Sequence, residues 1–196
     1  MMLIIGLILF GLGEALLIAS GAGVSPWTVF AQGFSKVTNW SIGLSTFTIS
    51  FFVLLFWVPL RQIPGVGTVL NIIIISLVLD LSAPYLPVFE TSAMRLAEAA
   101  LGVIITGFGG GIYLIANLGP GPRDGLMTGL QRQTGRPLAT VRSVIEICVV
   151  VLGWSLGGVV GLGTLMFAFG IGPCVATSML FLQFCFVDRS AHEHIK

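Results

Sequence analysis

Residues 119–130 read Gly-Pro-Gly-Pro-Arg-Asp-Gly-Leu-Met-Thr-Gly-Leu and separate two long apolar runs of the chain. Residues 23–34, which lie 96 positions earlier, read Gly-Val-Ser-Pro-Trp-Thr-Val-Phe-Ala-Gln-Gly-Phe and match this segment at its first glycine, its second proline and its last glycine. The same offset aligns Gly65-Val66-Gly67-Thr68 with Gly161-Leu162-Gly163-Thr164, and no gap is needed from Gly11 to Thr68. A register shared by Pro, Thr and the Gly-x-Gly-Thr tetrad indicates a tandem duplication.

The composition places the chain in a membrane. Its 196 residues include only 9% charged side chains, whereas a soluble domain carries roughly 25%, and its mean hydropathy is +1.04. A net charge of +1 gives no basis for nucleic-acid binding. Cys148, Cys174 and Cys185 show neither metal-site nor disulfide spacing, so we expect them to be small packing residues. The chain is therefore predicted to be a polytopic, all-α membrane protein.

Hydrophobic segments of about 20 residues predict three membrane-spanning helices in each half of the chain. A short amphipathic helix is predicted after the first span of each half, over residues 26–37 and 122–133, and each begins with a proline suited to a first helical turn. Such a helix can lie flat at the interface or enter the membrane as a re-entrant half-helix, and the sequence leaves both open. The six predicted spans are 3–21, 42–59, 67–85, 94–116, 138–156 and 163–185.

Three spans per repeat is an odd number, so the second repeat is predicted to be inverted relative to the first. Seven of the nine basic residues then fall on one side of the membrane. The positive-inside rule predicts that this side, with both termini, is cytoplasmic. We expect one membrane domain over residues 1–196, with repeat one at 1–86, repeat two at 94–185 and a cytoplasmic tail at 186–196. The seven residues are Arg61, Arg123, Arg132, Arg136, Arg142, Arg189 and Lys196, against Lys36 and Arg95.

Ionisable residues within spans are the first candidates for function. Glu14 lies near the middle of the first span, and its repeat counterpart is Gly110, so the repeated scaffold does not require this charge. We expect it to face the interior between the repeats. Asp80 and Glu98 are expected near the outer interface, and Arg142 is expected to pair with Glu146 at i,i+4.

A central solute-binding site is predicted between Glu14 and the two repeated segments rich in Gly and Pro, residues 23–34 and 119–130, which we call the Gly-Pro segments. Asp124 lies in the first turn of its short helix, where capping of the helix is its ordinary role. Asn71 is a further polar group that could line a cavity or bond to neighbouring helices. The predicted binding residues are Glu14, Pro26, Gln32, Asn117, Pro122, Asp124 and Thr128.

The glycine-rich motifs have a simpler interpretation than nucleotide binding. Gly107, Gly109 and Gly111 lie inside an apolar span, so they indicate close helix packing and not a dinucleotide-binding turn. The segment 161–164 lacks the lysine of a phosphate-binding loop. No His lies in a span, and no nucleophile–base pair or metal-ligand set is evident, so neither an enzyme nor a cofactor or metal is predicted.

Several segments resemble the bacterial YczE-type membrane proteins of the YczE/YyaS/YitT group. The resemblance covers most of the first repeat and, through the duplication, the core of the second. It implies a multi-pass protein of the bacterial cytoplasmic membrane. Thr28 stands where the family usually has Asp, while Asp124 keeps the acid in the second repeat. The matching residues are Pro26-Trp27-Thr28, Gly33-Phe34-Ser35, Ser41-Ile42-Gly43, Pro59-Leu60-Arg61, Pro64-Gly65-Val66-Gly67-Thr68 and Asp80.

Two functions are predicted from these features. The first is a small-solute transporter or channel with a central site between inverted repeats, coupled to protons through Glu14. The alternative is a membrane accessory or assembly factor that acts through a protein partner. The lipid bilayer and an unidentified solute are the expected partners, and a homo-oligomer is left open.

Overall fold

The computed structural model describes the backbone of residues 1–193 and the side chains of residues 1–184. The described backbone is all-helical, with eight α-helices, no strand and one 3-10 turn, Ala83–Tyr85. The last part of the predicted tail, 194–196, lies outside the described residues, as do the side chains of Cys185 and Arg189. The helices are α1 Met2–Ser20, α2 Pro26–Thr38, α3 Ile42–Leu55, α4 Val66–Ser82, α5 Ser92–Ile115, α6 Pro122–Thr134, α7 Leu138–Ser155 and α8 Leu162–Glu193.

Five helices are long and apolar enough to cross a membrane, namely α1, α4, α5, α7 and α8, and a sixth span results if α2 and α3 are taken as one bent unit. The axis turns by 112° between α2 and α3. The predicted second span, 42–59, is too long, because α3 ends at Leu55 after 14 residues. Pro59 disfavours the helical conformation of Val58, so the helix is not expected to continue to residue 59. The protein is thus a helical, multi-pass membrane protein.

The two short helices form where the sequence predicts them, each one residue longer at its end. Pro26 and Pro122 occupy their first turns, where a missing N–H costs nothing. Both helices end at a residue in the left-handed conformation, Asn39 with φ 59° and Gly135 with φ 65°, which is a common way to terminate a helix. Local backbone preferences therefore suffice to set the bounds of these helices.

The central contact of the fold is the packing of α1 on α5. A Cβ atom added to Gly13 would lie 2.6 Å from the carbonyl oxygen of Gly102, and one added to Gly109 would lie 2.6 Å from that of Gly6. Gly109 is 96 residues after Gly13, and Gly102 is 96 residues after Gly6, so the two contacts are reciprocal. The close-packing interpretation of the glycines is confirmed, because only glycine lets the backbones approach this closely.

The loops of one half bond to helix starts of the other half. The backbone N–H of Gly67 donates to Leu118 O at 2.8 Å, and that of Gly163 donates to Ala22 O at 2.9 Å. These two bonds are again related by the 96-residue offset. The hydroxyl of Thr68 adds a bond to Pro120 O at 2.7 Å. The halves therefore interlock at both Gly-Pro segments, while their relative direction across the membrane stays a prediction.

The glycine contact gives a first test. Gly109→Ala should lower the free energy of unfolding by about 1–3 kcal/mol, because the new methyl group would overlap the backbone of Phe10. Gly172→Ala in α8 is the matched control, since a Cβ there meets no heavy atom within 4 Å, and it should leave stability unchanged or slightly raised. Thermal unfolding in detergent measures both. Equal stability of the two variants would contradict the packing argument.

The orientation gives a second test. In a chain whose native cysteines are replaced, Thr91→Cys should react with an impermeant maleimide added to intact cells, because the α4–α5 connection is predicted to be external. Arg132→Cys should react only after the membrane is permeabilised. Both residues are exposed in the structure, so differences in labelling report sidedness and not burial. The opposite labelling pattern would reverse the predicted orientation.

Candidate functional site

The first turns of α2 and α6 meet at one cavity of about 310 Å³. Pro26 and Pro122, the first residues of the two helices, both line it. The next residues touch each other, since the guanidinium carbon of Arg123 lies 5.3 Å from the ring centroid of Trp27, a cation–π distance. Two helix N-termini, each with a partial positive charge, therefore converge on the same space, as expected if both helices are re-entrant.

Both halves of the chain contribute equivalent positions to this cavity. Seven pairs of lining residues are related by the 96-residue offset. The first half presents mostly neutral polar groups, whereas the second presents the charged side chains. The pairs are Ser25/Gly121, Pro26/Pro122, Trp27/Arg123, Thr46/Arg142, Ser50/Glu146, Asn71/Phe167 and Ile75/Ile171.

Glu14 lies directly behind the cavity wall. Its side chain is only 1% exposed, so the prediction that it faces the protein interior and not lipid is confirmed. Its Oε2 accepts hydrogen bonds from the hydroxyls of Ser25 at 2.8 Å and Thr28 at 2.7 Å, and Ser25 lines the cavity. Its Oε1 has no partner among the described residues.

The positive charge that acts on Glu14 is that of Arg123, although the two groups form no salt bridge within the described part of the chain. Arg142 is held by Glu146, with Nε 2.8 Å from Oε1, so the predicted i,i+4 pair is confirmed. Both members of that pair line the cavity from α7.

Thr28 and Asp124, the third residues of α2 and α6, have parallel roles. Each bonds to the long helix that precedes its own: Thr28 donates to Glu14 of α1, and Asp124 accepts from the hydroxyl of Tyr113 of α5 at 2.8 Å. The bond at position 28 requires a donor, because an ionised Asp there could not donate to Glu14. No side chain caps α6, so the structure gives Asp124 a cross-helix bond instead of the expected capping role.

The remaining predicted site residues lie away from the cavity. Gln32 accepts from Val159 N at 3.1 Å, and Thr128 donates to Gly125 O within its own helix at 3.2 Å. Asn117 follows α5 in the left-handed conformation, with φ 47°. These three residues hold loops and helix turns in place.

Three further acidic or polar residues, Asp80, Glu98 and Asn71, were not among the predicted binding residues. Asp80 is exposed, as expected, and accepts from the hydroxyl of Ser41 and from Gly43 N, which ties α3 to α4. Glu98, in the second turn of α5, is only 5% exposed, and its expected position near the interface stays a prediction. Asn71 lines the cavity. Within residues 1–184, no group of three or more His, Cys, Asp or Glu side chains converges to hold a metal ion.

Sequence reasoning missed Trp27, Arg123, Tyr113 and Thr46 as cavity residues. A signal for two of them was present, since Trp27 and Arg123 each follow the proline that starts a short helix. No comparable signal existed for Tyr113 or Thr46, which are brought to the cavity by helix packing.

The bonds to Glu14 give a third test. Glu14→Gln should cost less than about 1 kcal/mol of unfolding free energy, because an amide oxygen still accepts from both hydroxyls. The double change Ser25→Ala and Thr28→Val should cost about 1–3 kcal/mol, because it leaves a buried carboxyl group without donors. Thermal unfolding measures the difference. Thr48→Val is the control, since the half-buried Thr48 bonds only to its own helix, and a double variant as stable as this control would contradict the assignment.

Comparison with known proteins confirms the resemblance found in the sequence. Residues 1–179 match the profile of a family described as a family of unknown function, DUF6198. An uncharacterized protein of Haemophilus influenzae is 44% identical over 173 residues, which cover 88% of this chain and 79% of the relative. The uncharacterized membrane protein YczE of Bacillus subtilis is 33% identical over 89% of this chain and 82% of its own length. YyaS of the same organism is 27% identical, with 83% of each chain covered, and no solved structure gives a significant match.

Proposed function

Because the chain belongs to DUF6198, a family of unknown function, we propose from its geometry that it is a small-solute membrane transporter or channel. Its binding site is the cavity where α2 and α6 begin. The observation that carries this proposal is the convergence of two helix N-termini, from equivalent positions of the two halves, on one space inside the membrane domain. Broken helices that present their ends to a central site are the usual design of transporters built from repeats.

Inverted repeats are part of the proposal. The reciprocal bonds Gly67–Leu118 and Gly163–Ala22 and the reciprocal glycine contacts of α1 with α5 support a two-fold relation between the halves. The odd number of predicted spans per half and the distribution of basic residues support the inversion and the cytoplasmic location of both termini. The protein then acts in the bacterial cytoplasmic membrane, with lipid as its surroundings and a transported solute in place of an enzymatic substrate.

Glu14 is the proposed proton-carrying group. It is the acid closest to the start of α2, and Ser25 links it to the cavity by a single hydrogen bond. Burying an ionised carboxylate costs several kcal/mol unless a positive charge compensates it, and Arg123 is the charge that acts on it. A solute that changes the position of Arg123 would therefore change the proton affinity of Glu14, which is the coupling that transport against a gradient needs.

A second function is favoured by a different observation. An apolar groove of about 510 Å³ lies between α2, α3 and α7, where Phe30, Phe34, Phe52, Phe56, Val144 and Cys148 line it. A groove of this kind suits the helix of a protein partner, as an accessory or assembly factor would require. Lipid chains fit the same surface, so the groove distinguishes the two functions less sharply than the polar cavity does.

Flux measurements test the proposal. Proteoliposomes with the purified protein and a lumenal pH dye should take up protons together with at least one of a panel of small carboxylates, inorganic phosphate and amino acids. Glu14→Gln should reduce the proton uptake to the protein-free rate, because the amide cannot carry a proton across. Glu90→Gln is the control, since Glu90 is an exposed loop acid outside the cavity.

Two results would count against this function. Unchanged pH-dependent uptake in Glu14→Gln would remove Glu14 from the mechanism. No uptake of any solute by folded protein, together with a membrane protein that co-purifies and is lost on Phe52→Ala in the apolar groove, would favour the accessory role.

A further inference from the structure

We infer that the ligand of the cavity is an amphiphilic oxyanion. Its carboxylate or phosphate head contacts Arg123, and its apolar body extends between α7 and α8 toward the lipid. This inference rests on the proposed function, since it names the class of solute that the same cavity takes.

Unused hydrogen-bond donors around the cavity point to an anionic group. Each acid near the cavity already has a donor: Glu14 from Ser25 and Thr28, Asp124 from Tyr113 and Glu146 from Arg142. Arg123, in contrast, has no hydrogen-bonding partner within the described residues and only stacks on Trp27. A planar guanidinium with free donors is suited to bind a carboxylate or phosphate through two parallel bonds.

Two buried side chains at the cavity also lack partners. The Nε1 of Trp27, 7% exposed as a residue, and the hydroxyl of Thr46, 3% exposed, make no hydrogen bond among the described residues. Both residues line the cavity. Buried polar groups are normally satisfied, and a tryptophan N–H can only donate. The first turns of α2 and α6 carry no side-chain cap either, so their backbone N–H groups are further donors at this site.

The part of the cavity wall that α4 and α8 form is largely aliphatic and aromatic, and a small hydrophilic anion would not use it. Contact with an apolar body contributes roughly 0.8 kcal/mol per buried methylene group. The lining side chains of this part include Ile72, Ile75, Phe167, Ile171, Val175 and Met179.

The cavity has a side opening between α7 and α8. We call the line along which two neighbouring helices face each other a seam, and the α7–α8 seam is not closed, whereas the equivalent α3–α4 seam is. The α3–α4 seam is closed by Asp80, which accepts from Ser41 and Gly43. The equivalent positions at the α7–α8 seam are Pro137, Ala139 and Ala176, which cannot form that clamp.

The open seam leads from the cavity to the lipid. Helix α7 and the described part of α8 barely touch. A Cβ atom added to Gly172 meets no heavy atom within 4 Å, and Gly172 and Ala176 both line the cavity. Val144, Ile147 and Val151 of α7 are each more than half exposed, as expected of a helix in contact with lipid. An apolar chain can therefore leave the cavity sideways past the small residues Gly172 and Ala176.

The inference is tested by measuring, with calorimetry, the binding of decanoate to the purified protein in a neutral detergent. Decanoate and decyl phosphate should bind, whereas decanol, acetate and inorganic phosphate should bind at least about tenfold more weakly, because each lacks the head group or the apolar body. Arg123→Gln should weaken decanoate binding by about tenfold or more, and Arg123→Lys by less. Arg132→Gln, an exposed change at the far end of α6, should leave it unchanged.

Gly172→Leu tests the side opening. A Cβ atom at this position meets no heavy atom within 4 Å, and a leucine side chain extending from it would narrow the seam, so the variant should weaken decanoate binding while the melting temperature stays at or above that of the native protein. Equal affinity for decanol and decanoate would overturn the anionic head, and equal affinity for acetate and decanoate would overturn the apolar body. Unchanged decanoate binding in a folded Gly172→Leu variant would overturn the lateral route.

The binding data also separate this inference from the proposed transport. Arg123-dependent decanoate binding without flux in proteoliposomes would support the ligand class and count against transport. Arg123-dependent flux of a small hydrophilic solute without decanoate binding would overturn the amphiphile and leave transport standing.

Discussion

The structure depends on one constraint: backbone N–H and C=O groups inside a bilayer must find partners within the protein. The chain breaks its helices twice at the Gly-Pro segments, and each break exposes such groups. The breaks are satisfied across the duplication, with Gly67 N bonded to Leu118 O and Gly163 N bonded to Ala22 O. Neither half can satisfy these groups alone, so the two halves fold as one unit around their loops.

Small and large residues have exchanged positions between the two halves at two helix contacts. Gly153 of α7 packs against the backbone of Val29 and Phe30, whereas Gly125 of α6 packs against the ring of Trp57. Gly125 is the repeat counterpart of Val29, and Gly153 is the counterpart of Trp57, so the bulky and the small partner have exchanged places. Each contact therefore pairs one glycine with one larger residue.

The polar interior shows a comparable division between the halves. In the first half the acid is on the long helix, at Glu14, and the short helix donates through Ser25 and Thr28. In the second half the short helix carries Asp124, and the long helix donates through Tyr113. The duplicated scaffold thus keeps the cross-helix bond while it reverses donor and acceptor, which leaves Arg123 as the cavity cation without a partner in the described part of the chain.

The sequence by itself determined the features that depend on local chemistry. Low charge and high hydropathy specify a membrane protein, Pro26 and Pro122 specify where the short helices start, and the 96-residue register specifies the equivalent positions. Sequence reasoning also identified Glu14 and the Arg142–Glu146 pair, because a charge inside an apolar span, or two charges one helical turn apart, can be read along one helix. It placed the end of the second span too late, since the turn after Leu55 is stabilised by Trp57 bonding to the distant Pro122.

Only the tertiary structure decided which of these groups meet. Trp27 and Arg123 are far apart in the chain, and their contact exists because the first turns of α2 and α6 meet at the cavity. The partners of Glu14, the cavity and the open seam between α7 and α8 have the same origin. Hydropathy describes how strongly each segment prefers lipid over water. It does not determine which helices pack against each other, so the contacts between helices become known only from the structure.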